Sequence, residues 1–301
     1  MYQQIARNKR MSVLYAALFF TVWVGVGALV GLVAETTTGA VVAGASIAAA
    51  FALAGIVFAL RSGARLVLAV AGARPADPRE FAELHHVVEA LAIGAGLPKP
   101  DVYVVDDASP NAFATGTGPG HAAITATTGL LAVMNREELE GVISHEMSHI
   151  KNYDVRLLLV VSTLIGMAGL LASLIWRGMW FGRGARRDQA GLVILAAGLL
   201  LGLVAVVFGP LMRLALSRRR EELADVSGVE LTRNPAGLIS ALEILQRNDQ
   251  PLAKVNHATA AMCIDDPLQH HAGWFHRLFD THPPISERIA VLQRIATGQL
   301  T

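Results

Sequence analysis

Hydrophobic and polar positions divide the chain into four long uncharged runs and two amphipathic regions between and after them. Met11–Ala34 carries no charge and is long enough to cross about 30 Å of hydrocarbon as a helix. A signal peptide would have a shorter apolar core followed by a small-residue cleavage site, so an uncleaved first membrane helix is expected. After Glu35-Thr36-Thr37-Thr38-Gly39, Ala40–Leu60 is a second uncharged run, rich in Ala and Gly. Small residues let helices approach closely in lipid, so the two runs predict a tight hairpin. Leu157–Trp176 and Ala190–Met212 form a second pair, joined by a loop holding Arg177, Arg183, Arg186 and Arg187.

The region between the pairs changes period. Pro75 to Gly96 reads as a helix, with Phe81, Leu84, Val88, Leu91 and Ile93 on its apolar positions. Leu97-Pro98-Lys99-Pro100 stops it, and Val102–Val105 reads as a short strand. Pro110–Gly116 and Ala122–Thr128 flank the turn Gly118-Pro119-Gly120 and predict a β-hairpin. Asn111 and Phe113 alternate in the strand sense. An edge strand there can bind an extended peptide by adding it to the sheet, and a plain hairpin accounts for the same residues equally well. Asn135-Arg136-Glu137-Glu138 then reads as an N-cap with a capping-box Glu, leading a helix with Leu139, Val142, Ile143 and Met147 at helical spacing. Beyond the second pair, Asn234-Pro235 starts a helix with Leu238, Ile239, Leu242 and Leu245 on one side. A last helix carries Ile285, Ile289 and Leu292 after Thr281-His282-Pro283-Pro284.

Composition sharpens this pattern. The 301 residues are 53% hydrophobic and only 16% charged, too apolar for an ordinary soluble enzyme. The net charge of +1 provides no field that would attract nucleic acid. Cys263 is the single cysteine, so an intrachain disulfide and a Cys-rich zinc site are both excluded. Arg7, Lys9 and Arg10 precede the first hairpin, and Arg61, Arg65 and Arg74 follow it. Its turn has one acidic residue and no basic one. The positive-inside rule therefore places both hairpin ends, and the segment that follows, in the cytoplasm. The arginines of the second loop run against that rule if the second pair crosses fully. A re-entrant pair, or dominance of the first hairpin, removes the conflict.

Candidate chemistry sits in His145-Glu146-Met147-Ser148-His149. Residues four apart share one helix face, so two imidazoles can converge on one tetrahedral ion. Zinc accepts such nitrogen and oxygen ligands and has no geometric demand of its own. Glu146 can reach a water on the ion without ligating it, and can take its proton as it attacks a carbonyl. A third protein ligand is needed. Glu221 and Asp225 are four apart on a predicted helix, and Glu222 stands three before Asp225, so spacing alone leaves both glutamates open. A charged helix start at a membrane surface, with Arg218–Arg220 facing headgroups, is the plainer account of that cluster. His85, His86, His121, His257, His270 and His271 lack ligand spacing and read as surface or hydrogen-bonded residues. His282 lies at a rigid turn and can donate to an oxyanion.

Taken together and in this order, the motifs resemble the M48 membrane metallopeptidases, in particular their HtpX-type members, with the Ste24 prenyl-protein proteases more distant. The resemblance implies that His145, His149 and Glu221 ligate one zinc ion per chain and that Glu146 is the general base. It selects Glu221 over Glu222 through the match to Glu-x-x-x-Asp, and implies that Asp225 holds a ligand rather than touching the metal. It suggests that Asn111 and Phe113 lie on a substrate-binding edge strand and that His282 aids substrate binding or the oxyanion.

The expectation is a mainly α-helical membrane protein. It would have four hydrophobic helices and a cytoplasmic zincin-like metallopeptidase domain containing a small β-sheet or hairpin. The boundaries would be 1–74 for the first hairpin, 75–156 for the first part of the peptidase domain, 157–212 for the second helix pair and 213–301 for the remainder. The expected function is zinc-dependent endoproteolysis in membrane quality control, at the cytoplasmic side of a multi-pass cell-membrane protein. Membrane proteins or peptides would be its substrates, the bilayer its surroundings, and nucleic acid no partner. A prenyl-protein protease and a non-catalytic zinc scaffold are the alternatives.

Overall fold

A computed structural model describes residues 2–181, 198, 218–248 and 283–299. Two long helices open the chain, α1 (Tyr2–Ala34) and α2 (Thr38–Ala71). Both are long and apolar enough to cross a membrane. They then give way to β1 (Arg74–Pro75), α3 (Ala82–Ala95), β2 (Asp101–Val105), β3 (Ala112–Gly118), β4 (His121–Thr127) and α4 (Thr128–Val133). The metal motif lies on α5 (Arg136–Lys151), followed by α6 (Asp154–Phe181), α7 (Arg218–Thr232), α8 (Pro235–Arg247) and α9 (Ile285–Ala296). The expected segment Ala190–Met212 lies outside the described residues, as does His282.

The described residues fall into two compact units, one of 10–63, 160–181 and 198, the other of 2–9, 64–159, 218–248 and 283–299. In the first unit, Phe19 and Trp23 are buried with Ala52, Ala59, Val160 and Leu164. Helices α1 and α2 approach at Gly27 and Gly44: a Cβ on Gly27 would stand 2.3 Å from the Gly44 carbonyl oxygen. Only residues without a side chain permit that contact, as the Ala- and Gly-rich run predicts. Ile47 and Leu53 are exposed on α2, which suits a lipid-facing surface.

The second unit is a helical layer around a four-stranded sheet of order β1-β2-β4-β3. β3 and β4 form the expected antiparallel hairpin, while β2 runs parallel to β4. Among the described residues β3 is an edge strand. The helix expected from Pro75 starts later. Arg74 and Pro75 pair with Val104 and Tyr103 of β2, and Asp77 accepts from the backbone N–H groups of Arg79 and Glu80 before α3 begins. Proline suits this sheet edge because it has no N–H to contribute to a ladder. Leu84, Val88, Leu91, Ile124, Val142, Ile143, Met147, Leu238, Leu242, Ile289 and Leu292 close one core between sheet and helices.

Candidate metal centre

The α5 helix begins with the predicted capping box. Asn135 Oδ1 accepts from the Glu138 N–H at 3.1 Å, and Glu138 Oε2 accepts from the Asn135 N–H at 2.9 Å. From Gly141 to Ile150 every residue is buried, the polar ones included. Buried polar groups are costly without partners, so each one on this helix raises the question of what it meets. Ser144 and Ser148 turn back to backbone carbonyls of their own helix. Two close crossings enclose the rest. A Cβ on Gly141 would stand 2.7 Å from the Leu238 nitrogen of α8, and one on Gly228 of α7 would stand 3.0 Å from Ser144 Oγ.

These crossings bring α7 over the motif. His145 and His149 stand edge to face, with ring centroids 4.7 Å apart and Nε2 atoms 3.1 Å apart. Glu221 Oε2 is 3.5 Å from His145 Nε2, and Oε1 is 3.7 Å from His149 Nε2. Ligand atoms of these three residues all lie within 4.8 Å of one another. A tetrahedral zinc ion with ligand bonds of about 2.0–2.1 Å separates its ligand atoms by about 3.3 Å, so the spacing and the donor set of two imidazoles and one carboxylate both fit that ion. Glu221 is buried while Glu222 is exposed, so burial separates the two glutamates that spacing leaves open.

Each imidazole is held from behind. His145 Nδ1 lies 2.8 Å from Asp225 Oδ1, and His149 Nδ1 lies 3.2 Å from Asp154 Oδ2. A carboxylate can only accept, so both Nδ1 atoms carry a proton and both Nε2 atoms face inward, free to ligate once a metal displaces any proton they hold. Asp225 is in turn gripped by Arg288 of α9, at 2.9 Å through Nε and 2.7 Å through Nη2. Asp154 receives the side-chain amide of Asn8 at 2.6 Å, and Arg220 Nη1 approaches it to 3.7 Å.

The electrostatics follow from these contacts. Burial and the Arg288 charge oppose protonation of His145, yet Asp225 and Glu221 outweigh them and its pKa is raised to about 9. His149 is likewise buried, but the Glu221 charge and the Asp154 hydrogen bond raise its pKa. Burial would raise the Asp225 pKa, but Arg288 and His145 bring it down to about 2. Burial opposes the Arg288 charge, and Asp225, Glu221 and Glu146 together overcome it, so its pKa is raised. The centre is therefore a dense set of mutually compensating buried charges, which suits a doubly charged cation.

Other candidates fall in different positions. Glu146 is buried on α5 between the two histidines. Asn111 is buried just ahead of β3, where its backbone N–H donates to Thr127 Oγ1 at 2.9 Å. Phe113 is buried within β3. His121 is exposed at the start of β4, and His85 meets the Ala76 carbonyl. Pro283, next to His282 in sequence, is buried and lines a cavity of about 220 Å³ with Asp225 and Arg288. Sequence reasoning misses Asp154, Arg288, Asn8 and Arg220. Arg288 left a signal: with Ile285, Ile289 and Leu292 it occupies an i, i+3, i+4, i+7 stripe, where a charge demands a buried partner.

Comparison with known proteins bears on this centre. Residues 78–296 match the family described as Peptidase family M48. A protein of Limosilactobacillus fermentum called "Protease HtpX homolog" is 43% identical over 98% of this chain and 100% of its own length. Its namesake in Streptococcus gordonii is 42% identical over 98% of this chain and 100% of its own length. One in Caldanaerobacter subterraneus subsp. tengcongensis is 47% identical over 77% of this chain and 78% of its own. Among solved structures, that of S. mikatae Ste24p aligns with a TM-score of 0.48 at 19% identity, covering 80% of this chain and 56% of that one.

Proposed function

The chain belongs to peptidase family M48, and from that premise we propose that it is a membrane-bound, zinc-dependent endopeptidase. One observation carries the reading: two imidazole Nε2 atoms and the Glu221 carboxylate converge, with each imidazole's other nitrogen on a buried carboxylate. His145, His149 and Glu221 would hold one zinc ion. When bound, zinc supplies a Lewis acid that acidifies a water molecule and polarises a carbonyl.

The chain's own residues do the rest. Asp225 and Asp154 keep the Nδ1 protons in place, so both lone pairs stay aimed inward. Arg288 holds Asp225 through two hydrogen bonds and so fixes the carboxylate that meets His145. Glu146 takes the proton of the attacking water and returns it to the leaving amine. An extended peptide would add to the sheet beside β3, which ends the strand order, with Asn111 just ahead of that strand. His282 is assigned to substrate binding or the oxyanion on the family resemblance alone. The two apolar helices support attachment to the membrane, and the Arg7, Lys9, Arg10 and Arg61, Arg65, Arg74 clusters support a cytoplasmic centre in a multi-pass protein. The proposed role is quality control, with damaged or misassembled membrane proteins as substrates.

The test is Glu146→Gln. Zinc content should stay at one per chain while casein cleavage falls by at least a thousandfold, about 4 kcal/mol of barrier. Cleavage within tenfold of the parent would remove Glu146 from the mechanism. Loss of zinc instead would make it a ligand rather than a base.

A further inference from the structure

The carboxylate behind His149 is held by a residue from far away in the chain. Asn8, on the first turns of α1, donates from Nδ2 to Asp154 Oδ1 at 2.6 Å and to the Asn152 backbone carbonyl at 2.8 Å. Its side chain is buried. Asn152 caps the C-terminal end of α5, and Tyr153, the next residue, is left-handed with φ 61°. A tyrosine in that conformation costs of order 1 kcal/mol or more and persists only where neighbours fix it. Lys9 supplies such a neighbour, with Nζ 4.1 Å from the centre of the Tyr153 ring. Two successive residues of α1 thus grip the two-residue turn that carries the chain from the metal helix to Asp154.

We propose that Asn8 is a positioning residue of the metal centre: by fixing Asp154 it orients His149 and sets metal affinity. This rests on the reading of His149 as a ligand. An amide suits the task. Its Nδ2 donates hydrogen bonds to both a carboxylate and a carbonyl, and it adds no charge where Arg220 already stands 3.7 Å from Asp154. The first turns of α1 are then part of the centre, and the apolar remainder of the same helix is continuous with them.

The experiment measures zinc dissociation constants by chelator competition on the full-length, detergent-purified protein. Visible spectra of the cobalt(II)-substituted form report coordination geometry. Asn8→Ala should weaken zinc binding about 10–100-fold and alter the cobalt spectrum. Asn8→Ser keeps one donor and should lie between parent and Asn8→Ala; it also replaces Asn8→Ala if that variant does not fold. The decisive arm is the pair with Asp154→Asn. If Asn8 acts through Asp154, the double variant binds zinc no more weakly than Asp154→Asn alone. Additive losses, or an Asn8 variant that folds and binds zinc within twofold of the parent, overturn the proposal. His149→Ala is measured in parallel. Retained zinc there sinks the ligand reading itself, whatever Asn8 does.

Discussion

Asp225→Asn isolates the contribution of a carboxylate that touches a ligand rather than the metal. In the parent, one side chain satisfies His145 Nδ1 at 2.8 Å and two Arg288 nitrogens at 2.9 and 2.7 Å. Asp225 and Arg288 are each 2% exposed, so solvent cannot replace what is lost. The fall of the Asp225 pKa from 3.8 to about 2 corresponds to roughly 2–3 kcal/mol in favour of its charged form. Asparagine keeps the shape and loses the charge. Arg288 then loses the carboxylate that both its hydrogen bonds reach, a loss of about 3–5 kcal/mol in stability. His145 is held less firmly, and zinc should bind about 10–100-fold more weakly. The two effects separate in Asp225→Asn/Arg288→Met, which removes the buried cation as well. That double variant should recover most of the thermal midpoint of the metal-free protein but none of the zinc affinity. Chelator competition and thermal unfolding, with and without metal, measure both. Zinc binding by Asp225→Asn within twofold of the parent would refute the orienting role of Asp225.

The pH dependence has opposite signs with and without metal. Because the His145 pKa is raised to about 9 from 6.5, its protonated form stabilises the metal-free protein fully below pH 6.5, and that contribution is lost as pH rises through 9. Metal competes with the same proton, so zinc affinity should rise about tenfold per pH unit for each proton displaced, up to pH 9. Calorimetric titration between pH 6 and 10 reads both slopes, and a flat affinity would show that no proton is displaced. Packing supplies a separate prediction. Gly141→Ala drives a methyl to 2.7 Å from the backbone of α8 and should cost about 1–3 kcal/mol, whereas Gly25→Ala meets nothing within 4 Å. Thermal midpoints of the two variants should differ in that order, and equal midpoints would mean that α5 and α8 can part without penalty.

Local spacing settled the parts of this protein that repeat within one element. The apolar runs gave α1 and α2, alternation around Gly118-Pro119-Gly120 gave the β3–β4 hairpin, and Asn135 with Glu138 gave the start of α5. The spacing of His145 and His149 put two imidazoles on one face because a helix turn is a fixed length. Tertiary structure decided what those imidazoles lean on. Asp225 and Arg288 are 63 residues apart, and Asn8 and Asp154 are 146 apart. No periodicity links groups so distant; the crossing of α5 and α7 at Gly228, the reach of Arg288 to Asp225 and the seating of Asn8 on Asp154 bring them together. The same holds for Pro75, whose local pattern suits a helix but whose neighbour in space is a strand. A sequence specifies which faces must be covered, and the packing of those faces decides which buried charge meets which.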